Sequence, residues 1–311
     1  MYWAAFQPVS PGGEKFVLLR PGWSARHIAL TLQREGIIRS APAFLALNYA
    51  VGQGKLKAGE YKFDVPATAS EVRDRLLRGD VYARTVAVPE GYNLYDIAAV
   101  VEQAGLGTAA DFIAVANHDV SLIRDLDPQA KSLEGYLFPD TYQFSRIDTP
   151  HDIAAAMVRR FLQAAQKIGL LGNPDIHRIV TMASIVEKET AAPEERPLVA
   201  GVYYNRLDKN MLLGADPTVI YAALISGRYR GTIYQSDLQF DSPYNTYKFP
   251  GLPPGPIANP GAASLQAALH PRQSEFLYFV SDNGGHHRFS RNAAEHDKNV
   301  AAYRKSAGAH R

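Results

Sequence analysis

The stretch Ile176–Thr190 constrains the fold most. Ile176, Ile179, Val180, Met182, Ala183, Ile185 and Val186 are apolar, and their spacing predicts a helix buried on most of its sides. Such a helix needs other elements around it. Two carboxylates, Glu187 and Glu189, stand near its C-terminal end. On a helical wheel Glu187 continues the apolar row Ile176, Val180, Ala183. An unpaired charge is costly there, so the carboxyl is driven toward its protonated form. A carboxyl of that kind suits general acid work near neutral pH. The alternative is an end-of-helix Glu that reaches water or pairs with Lys188 or Arg196, and the helix alone leaves both readings open. Glu189 points roughly 200° away on an ideal helix, so a close Glu187–Glu189 pair is not expected. Ser184, one turn before Glu187, is a candidate to orient it.

The first half carries a weak internal repeat. Arg20–Ala29 is echoed by Pro89–Ala98: Gly22 matches Gly91, Trp23 Tyr92, Ser24 Asn93, Ile28 Ile97 and Ala29 Ala98, and further on Gly36 matches Gly105. Each copy reads as a strand (Phe16–Leu19, Thr85–Val88), a Gly turn, a helix N-cap at Ser24 or Asn93, and an amphipathic helix that stops at a Gly. Two generic strand–turn–helix starts would also look alike. The first copy continues with a helix from Pro42 to Val51 and a strand Gly59–Phe63. A helix capped by Ser70 then runs to Leu77 and is ended by Gly79.

The region 133–144 is aromatic-rich and reads as irregular. A helix follows from Thr149 to Ile168. Past the carboxylate helix, another runs from after Pro193 to about Asn205, and Asp216-Pro217 begins a further one. Residues 241–261 form a long loop stiffened by Pro253, Pro254, Pro256 and Pro260, each of which fixes φ. Asn259-Pro260 reads as an N-cap with an N1 proline for a helix to Leu269. Leu277–Val280 and His287–Ser290 flank Gly284-Gly285 as a β-hairpin, and a polar helix closes the chain.

The chemistry narrows by exclusion. The 311 residues carry 33 basic and 31 acidic side chains, a net charge of +2, which does not point to nucleic acid. With no cysteine there is no disulfide, thiolate metal site or Cys nucleophile. His286 and His287 with Glu295 and His296 could suggest a metal, but adjacent histidines on a strand point to opposite faces and no His-x-x-x-His occurs on a helix, which argues against one. Phosphate-loop, dinucleotide-loop and nucleophile-elbow motifs do not occur. The apolar start of the chain is far shorter than the ~20 residues a membrane-crossing helix needs, and residues 1–13 read as a linker. The long loop is expected to be either a binding loop or a structural belt. Its Tyr244-Asn245-Thr246-Tyr247 offers hydroxyls, an amide and aromatic faces, a mixture suited to sugars. Asp216 reads either as a site residue or simply as a helix N-cap.

Several long motifs occur together and in order: Leu-Glu-Gly-Tyr-Leu-Phe-Pro-Asp-Thr-Tyr (133–142), Ala-Ser-Ile-Val-Glu-Lys-Glu-Thr (183–190), Asp-Pro-Thr-Val-Ile-Tyr (216–221), Ser-Pro-Tyr-Asn-Thr-Tyr (242–247) and Gly-Leu-Pro-Pro-Gly-Pro-Ile (251–257). With Leu-Tyr-Phe-Val (277–280) they resemble the YceG-like family of endolytic murein transglycosylases, from about residue 14 to the C-terminus. The resemblance implies an α+β fold, with an N-terminal LysM-like α/β module (14–80) followed by a second strand–helix connector (81–130) and a larger α+β catalytic domain (131–311). It implies a lytic transglycosylase that cuts the N-acetylmuramic acid–N-acetylglucosamine bond of nascent peptidoglycan and leaves an anhydromuramic end. Glu187 is then the catalytic acid/base, and Glu189, Asp216, Thr218, Tyr244, Asn245 and Thr246 line the substrate groove, with no cofactor. The partners implied are glycan strands and the cell-wall synthases at the cytoplasmic membrane, with no nucleic acid. The family is tethered to that membrane by one N-terminal helix and acts on its outer side. This chain is expected to begin just after that anchor. A non-catalytic glycan-binding scaffold is the rival reading.

Overall fold

The computed structural model describes residues 7–52 and 54–309. Residues 1–6 of the expected linker lie outside them; within the rest of it, Val9 bridges Ala67 in antiparallel fashion. The fold is mixed α+β, built from helices and two-stranded sheets. Among the described residues no helix is long and apolar enough to cross a membrane. The chain divides into two compact units. The first holds the described residues up to Val86, with Val101–Thr108 and Thr141–Ile153; the second holds Ala87–Val100, Ala109–Asp140 and the described residues from Ala154 onward.

In the first unit β1 (Lys15–Leu19) pairs antiparallel with β2 (Gly59–Phe63), Val17 opposite Tyr61. Between them lie α1 (Ala25–Arg34) and α2 (Ala41–Ala50), and after them α3 (Ala69–Arg78). Inward-facing Val17, Leu19, Ile28, Leu32, Phe44, Tyr61, Phe63, Val72 and Leu76 form one apolar core. Ser24 caps α1 as its position predicts, accepting the His27 N–H at 3.2 Å. The cap of α3 is Thr68 rather than Ser70. Thr68 has Glu71 three residues on, and the two exchange hydrogen bonds in a capping box, whereas Ser70 has Arg73 at that spacing and offers no return acceptor.

The second sheet pairs β3 (Arg84–Ala87) with β4 (Thr141–Phe144). β4 falls inside the stretch that reads as irregular; four residues are too few for an alternating pattern to register. α4 (Leu94–Gln103) follows β3, and Asn93 caps it by accepting the Tyr95 and Asp96 N–H groups. The internal repeat is visible in the backbone. Gly22 and Gly91 both adopt positive φ (83° and 77°), as do Gly36 and Gly105 (70° and 68°). The helix ends close alike: Ile37 N–H to Leu32 O at 2.8 Å and Leu106 N–H to Val101 O at 3.2 Å. α5 (Ala109–His118) and a 3-10 turn at Val120–Leu122 complete this part.

The remaining elements are α6 (Pro150–Lys167), α7 (Ile176–Glu189), α8 (Arg196–Asp208), α9 (Asp216–Ile225), α10 (Gln235–Leu238), α11 (Ala262–Leu269), the hairpin β5–β6 (Tyr278–Ser281, His287–Ser290) and α12 (Ala293–Ala309). The second unit is assembled around α7, which packs against α8, α9 and α11 and is buried continuously from Ile179 to Val186. α11 starts later than Asn259-Pro260 predicts: its N-cap is Gly261. Asn259 is fully buried and serves a longer-range purpose. Its side-chain oxygen accepts the Gly135 and Leu137 N–H groups (2.8 and 2.9 Å), and its nitrogen donates to Tyr92 O (3.0 Å) and Glu134 Oε1 (2.8 Å). Four bonds inside the core outweigh one solvent-side cap.

Candidate functional site

α7 ends at Glu189 because Thr190 turns extended (φ −134°, ψ 132°) and Pro193 follows. Both carboxylates therefore stand in the last turn, at the negative end of the helix dipole. Their surroundings differ. Glu187 Oε1 accepts from Arg196 at 2.9 Å, and Oε2 accepts the Gly261 N–H at 2.9 Å, tying α7 to the start of α11. The side chains of Glu187 and Arg196 are 4% and 8% exposed. Of the alternatives open from the sequence, the Arg196 ion pair is the one found. Ser184 does not orient Glu187. It lies mid-helix, donates to Thr181 O (2.7 Å) and accepts the Ile257 N–H (3.0 Å), holding the long loop against α7.

Glu189 faces another way, as helical geometry requires. Its Oε1 accepts the hydroxyl of Tyr203 on α8 at 2.7 Å. Burial pushes the Glu189 carboxyl up to about 7; the Tyr203 bond opposes this, and the Asp216 charge adds to it. Burial by itself disfavours the charged form. Arg206, one turn after Tyr203, aims its guanidinium at carbonyls, Leu277 O and Leu213 O (both 2.6 Å), and sits 5.0 Å over the Tyr278 ring. Glu189 opens on a cavity of about 360 Å³, lined also by Tyr203, Arg206, Asp216, Tyr247, Tyr278 and His296, within the size range of ligand clefts.

The other expected groove residues divide into two sets. Asp216 lines this cavity and accepts the Tyr247 hydroxyl at 2.6 Å. It is not the N-cap of α9: that position is Ala215, and Asp216 is the first helical residue. Thr218, Asn245 and Thr246 are fully buried. Thr218 and Thr246 share a hydroxyl contact of 2.8 Å, and Thr246 accepts the Ala215 N–H at 3.0 Å. Asn245 donates to Leu238 O and Phe240 O (3.0 and 2.8 Å). These three brace the loop and the start of α9. Tyr244 is half-buried and tilts against Tyr221 at 5.1 Å. Tyr203, Arg206, Tyr247, Tyr278 and His296 also line the cavity, and none of them is among the groove residues expected from the sequence. Tyr247 and Tyr278 carried a signal, as members of the Tyr-Asn-Thr-Tyr and Leu-Tyr-Phe-Val motifs.

A second buried carboxyl lies beneath the loop. Glu134 is 1% exposed and burial pushes it up to about 8, against hydrogen bonds from the Leu94 N–H, the Tyr221 hydroxyl and Asn259. Nearby, His177 bridges Asp127 (2.6 Å) and Pro254 O (3.1 Å), and the bond to Asp127 raises its pKa. His286 and His287 do not diverge as adjacent strand residues would. His286 precedes β6, so both reach Glu195, at 3.3 and 2.7 Å. In the first unit, a separate cavity of about 590 Å³ is lined by Arg20, Trp23, Ile28, Lys55, Leu56 and Lys57.

Comparison with known proteins agrees with this architecture. Residues 17–302 match the model of the YceG-like family. The chain is 35% identical over 301 residues to a Bacillus subtilis protein named endolytic murein transglycosylase, covering 91% of this chain and 82% of that one. It is 30% identical over 333 residues to a Streptococcus pneumoniae protein of the same name, covering 95% of this chain but only 60% of that longer relative. A crystal structure of a yceG-like protein from Listeria monocytogenes superposes with a TM-score of 0.62 at 33% identity, over 92% of this chain and 98% of the other. A family match over almost the whole chain, joined to a superposable relative at this identity, establishes that the chain belongs to the YceG-like family.

Proposed function

We propose that this protein is an endolytic murein transglycosylase in which Glu189, rather than Glu187, is the acid/base. The observation that carries this reading is one carboxyl raised to about 7 at the wall of an aromatic-lined cavity. Glu187 supports the site instead, through its bonds to Arg196 and Gly261. The names of the relatives support the activity, and the cavity supports the residue.

In the proposed reaction, protonated Glu189 gives its proton to the glycosidic oxygen between N-acetylmuramic acid and N-acetylglucosamine. The C1–O bond breaks through an oxocarbenium-like state. The muramic C6 hydroxyl attacks C1, and the Glu189 carboxylate takes its proton, closing the cycle with an anhydromuramic end. One carboxyl serves twice and no water is consumed. Tyr203 orients Glu189 through its hydroxyl, burial raises its pKa and the Asp216 charge adds to that, and Tyr247 offers a sugar platform at the cavity, with Tyr244 packed against Tyr221 on the same loop. Thr218, Asn245 and Thr246 hold the loop that carries those tyrosines. The first unit acts as the LysM-like module and docks glycan at the Trp23 cavity. By the family resemblance, the substrate is nascent glycan beside the cell-wall synthases on the outer side of the cytoplasmic membrane.

The test is cleavage of isolated glycan strands by purified protein. Glu189→Gln is expected to lose at least about 100-fold in rate, the scale of a missing general acid. Glu187→Gln is expected to keep cleaving wherever it stays folded. The opposite ranking would return the role to Glu187, and strands bound intact by the wild type would favour a scaffold.

A further inference from the structure

The cavity holds an imidazole that the proposed reaction does not use. His296 sits in the first turn of α12 and lines the same space as Glu189. Its ring stacks on Tyr278 at 5.1 Å and 24°, and Tyr278 in turn lies under the Arg206 guanidinium. The orientation of the imidazole is thus fixed by packing. Its Nδ1 is buried and has no hydrogen-bond partner among the described residues.

The state of the ring follows from that orphan atom. A doubly protonated imidazole would bury an N–H with no acceptor, close to the Arg206 charge, and an unmade buried donor is costly. Burial first, and Arg206 second, hold the His296 pKa below the ordinary histidine range. The neutral ring has two tautomers. Placing the proton on Nε2 leaves only a lone pair at the buried Nδ1 and makes Nε2–H the polar group available to a ligand. The packing role, stacking on Tyr278, needs a flat ring but no nitrogen.

We infer that His296 contacts the glycan as a neutral hydrogen-bond donor, its Nε2–H meeting a hydroxyl or acetamido oxygen of the sugar bound beside Glu189. This rests on the reading of that cavity as the site of cleavage. His296 binds and orients the sugar and transfers no proton.

Two substitutions separate donor from packing. His296→Phe keeps a flat ring on Tyr278 and removes both nitrogens, while His296→Gln returns a side-chain N–H at similar reach. For strand cleavage, the Phe variant is expected to lose about tenfold in kcat/KM, one hydrogen bond's worth, mainly through KM, and the Gln variant to recover most of it. Wild-type kinetics in the Phe variant, or equal loss in both, would overturn the inference. A second measurement needs no change at His296. In the Glu189→Gln protein, short glycan fragments added to saturation should shift the His296 ring nitrogen resonances, and unshifted resonances would contradict the contact. Glu189→Gln cleaving at the wild-type rate would instead sink the cavity reading, so the two failures are distinguishable.

Discussion

Glu187 and Glu189 are two residues apart on one helix and differ in every neighbour. Glu187 has a guanidinium and a backbone N–H; Glu189 has a tyrosine hydroxyl and a cavity. Two pH predictions follow from Glu189. In the proposed reaction it starts protonated, so cleavage is expected to fall as pH rises through about 7. Asp216→Asn removes a charge that raises Glu189 and should move that limb to lower pH, read from rate–pH profiles of the two proteins. Stability moves in the same window. The folded-state pKa lies above the ordinary carboxyl value, so the stability Glu189 contributes is complete at acid pH and lost as pH rises through about 7. The melting temperature of Glu189→Gln should therefore gain on wild type between pH 5 and pH 8. Glu187→Gln should instead cost about 1–2 kcal/mol, because it removes the nearer of the two carboxylates beside the buried Arg196 and leaves Glu90 at 3.7 Å, which denaturant titration would measure.

Part of this was legible in the sequence. The apolar period of α7 placed both carboxylates in one turn and turned them apart. What decides between them was not legible, because Tyr203, Tyr247 and His296 reach Glu189 or its cavity from separate elements. Ser184 and Asn259 show the same limit: local rules give each a partner nearby, and each takes one from a distant segment.

The long loop 241–261 is irregular in backbone yet anchored like a core element. Asn259 links it to Tyr92 and to residues 134–137, while Gly135 lets it approach α7. Gly135 has φ +88°, and a Cβ there would lie 2.5 Å from Pro256 Cγ and 2.9 Å from a Val180 methyl. Gly135→Ala is expected to cost about 2–4 kcal/mol, from left-handed strain plus overpacking. Asn259→Ala leaves two buried N–H groups unpaired and should cost about 3 kcal/mol. Thermal melts of both variants check this, and losses under 1 kcal/mol in both would mean the loop is held by something else. Proline spacing made the stiffness of this loop readable in advance. Its burial was hidden, since polar residues such as Asn245 and Thr246 read as surface until their buried partners are known.

The proposed function gives the two compact units separable tasks. Trp23 stands half-buried in the first unit, stacked on His27 at 4.0 Å, beside Arg20, Lys55 and Lys57. Trp23→Ala should weaken binding to long glycan strands severalfold, since an aromatic platform is worth about 1 kcal/mol, and leave cleavage of short fragments unchanged; a loss on both would tie that cavity to catalysis. In the proposed reaction one carboxyl, Glu189, cleaves glycan internally without water. Product analysis of defined glycan strands tests it most directly. Wild-type and Glu187→Gln protein should yield anhydromuramic ends while Glu189→Gln yields none; reducing muramic ends, or anhydromuramic ends from Glu189→Gln at the wild-type rate, would contradict it.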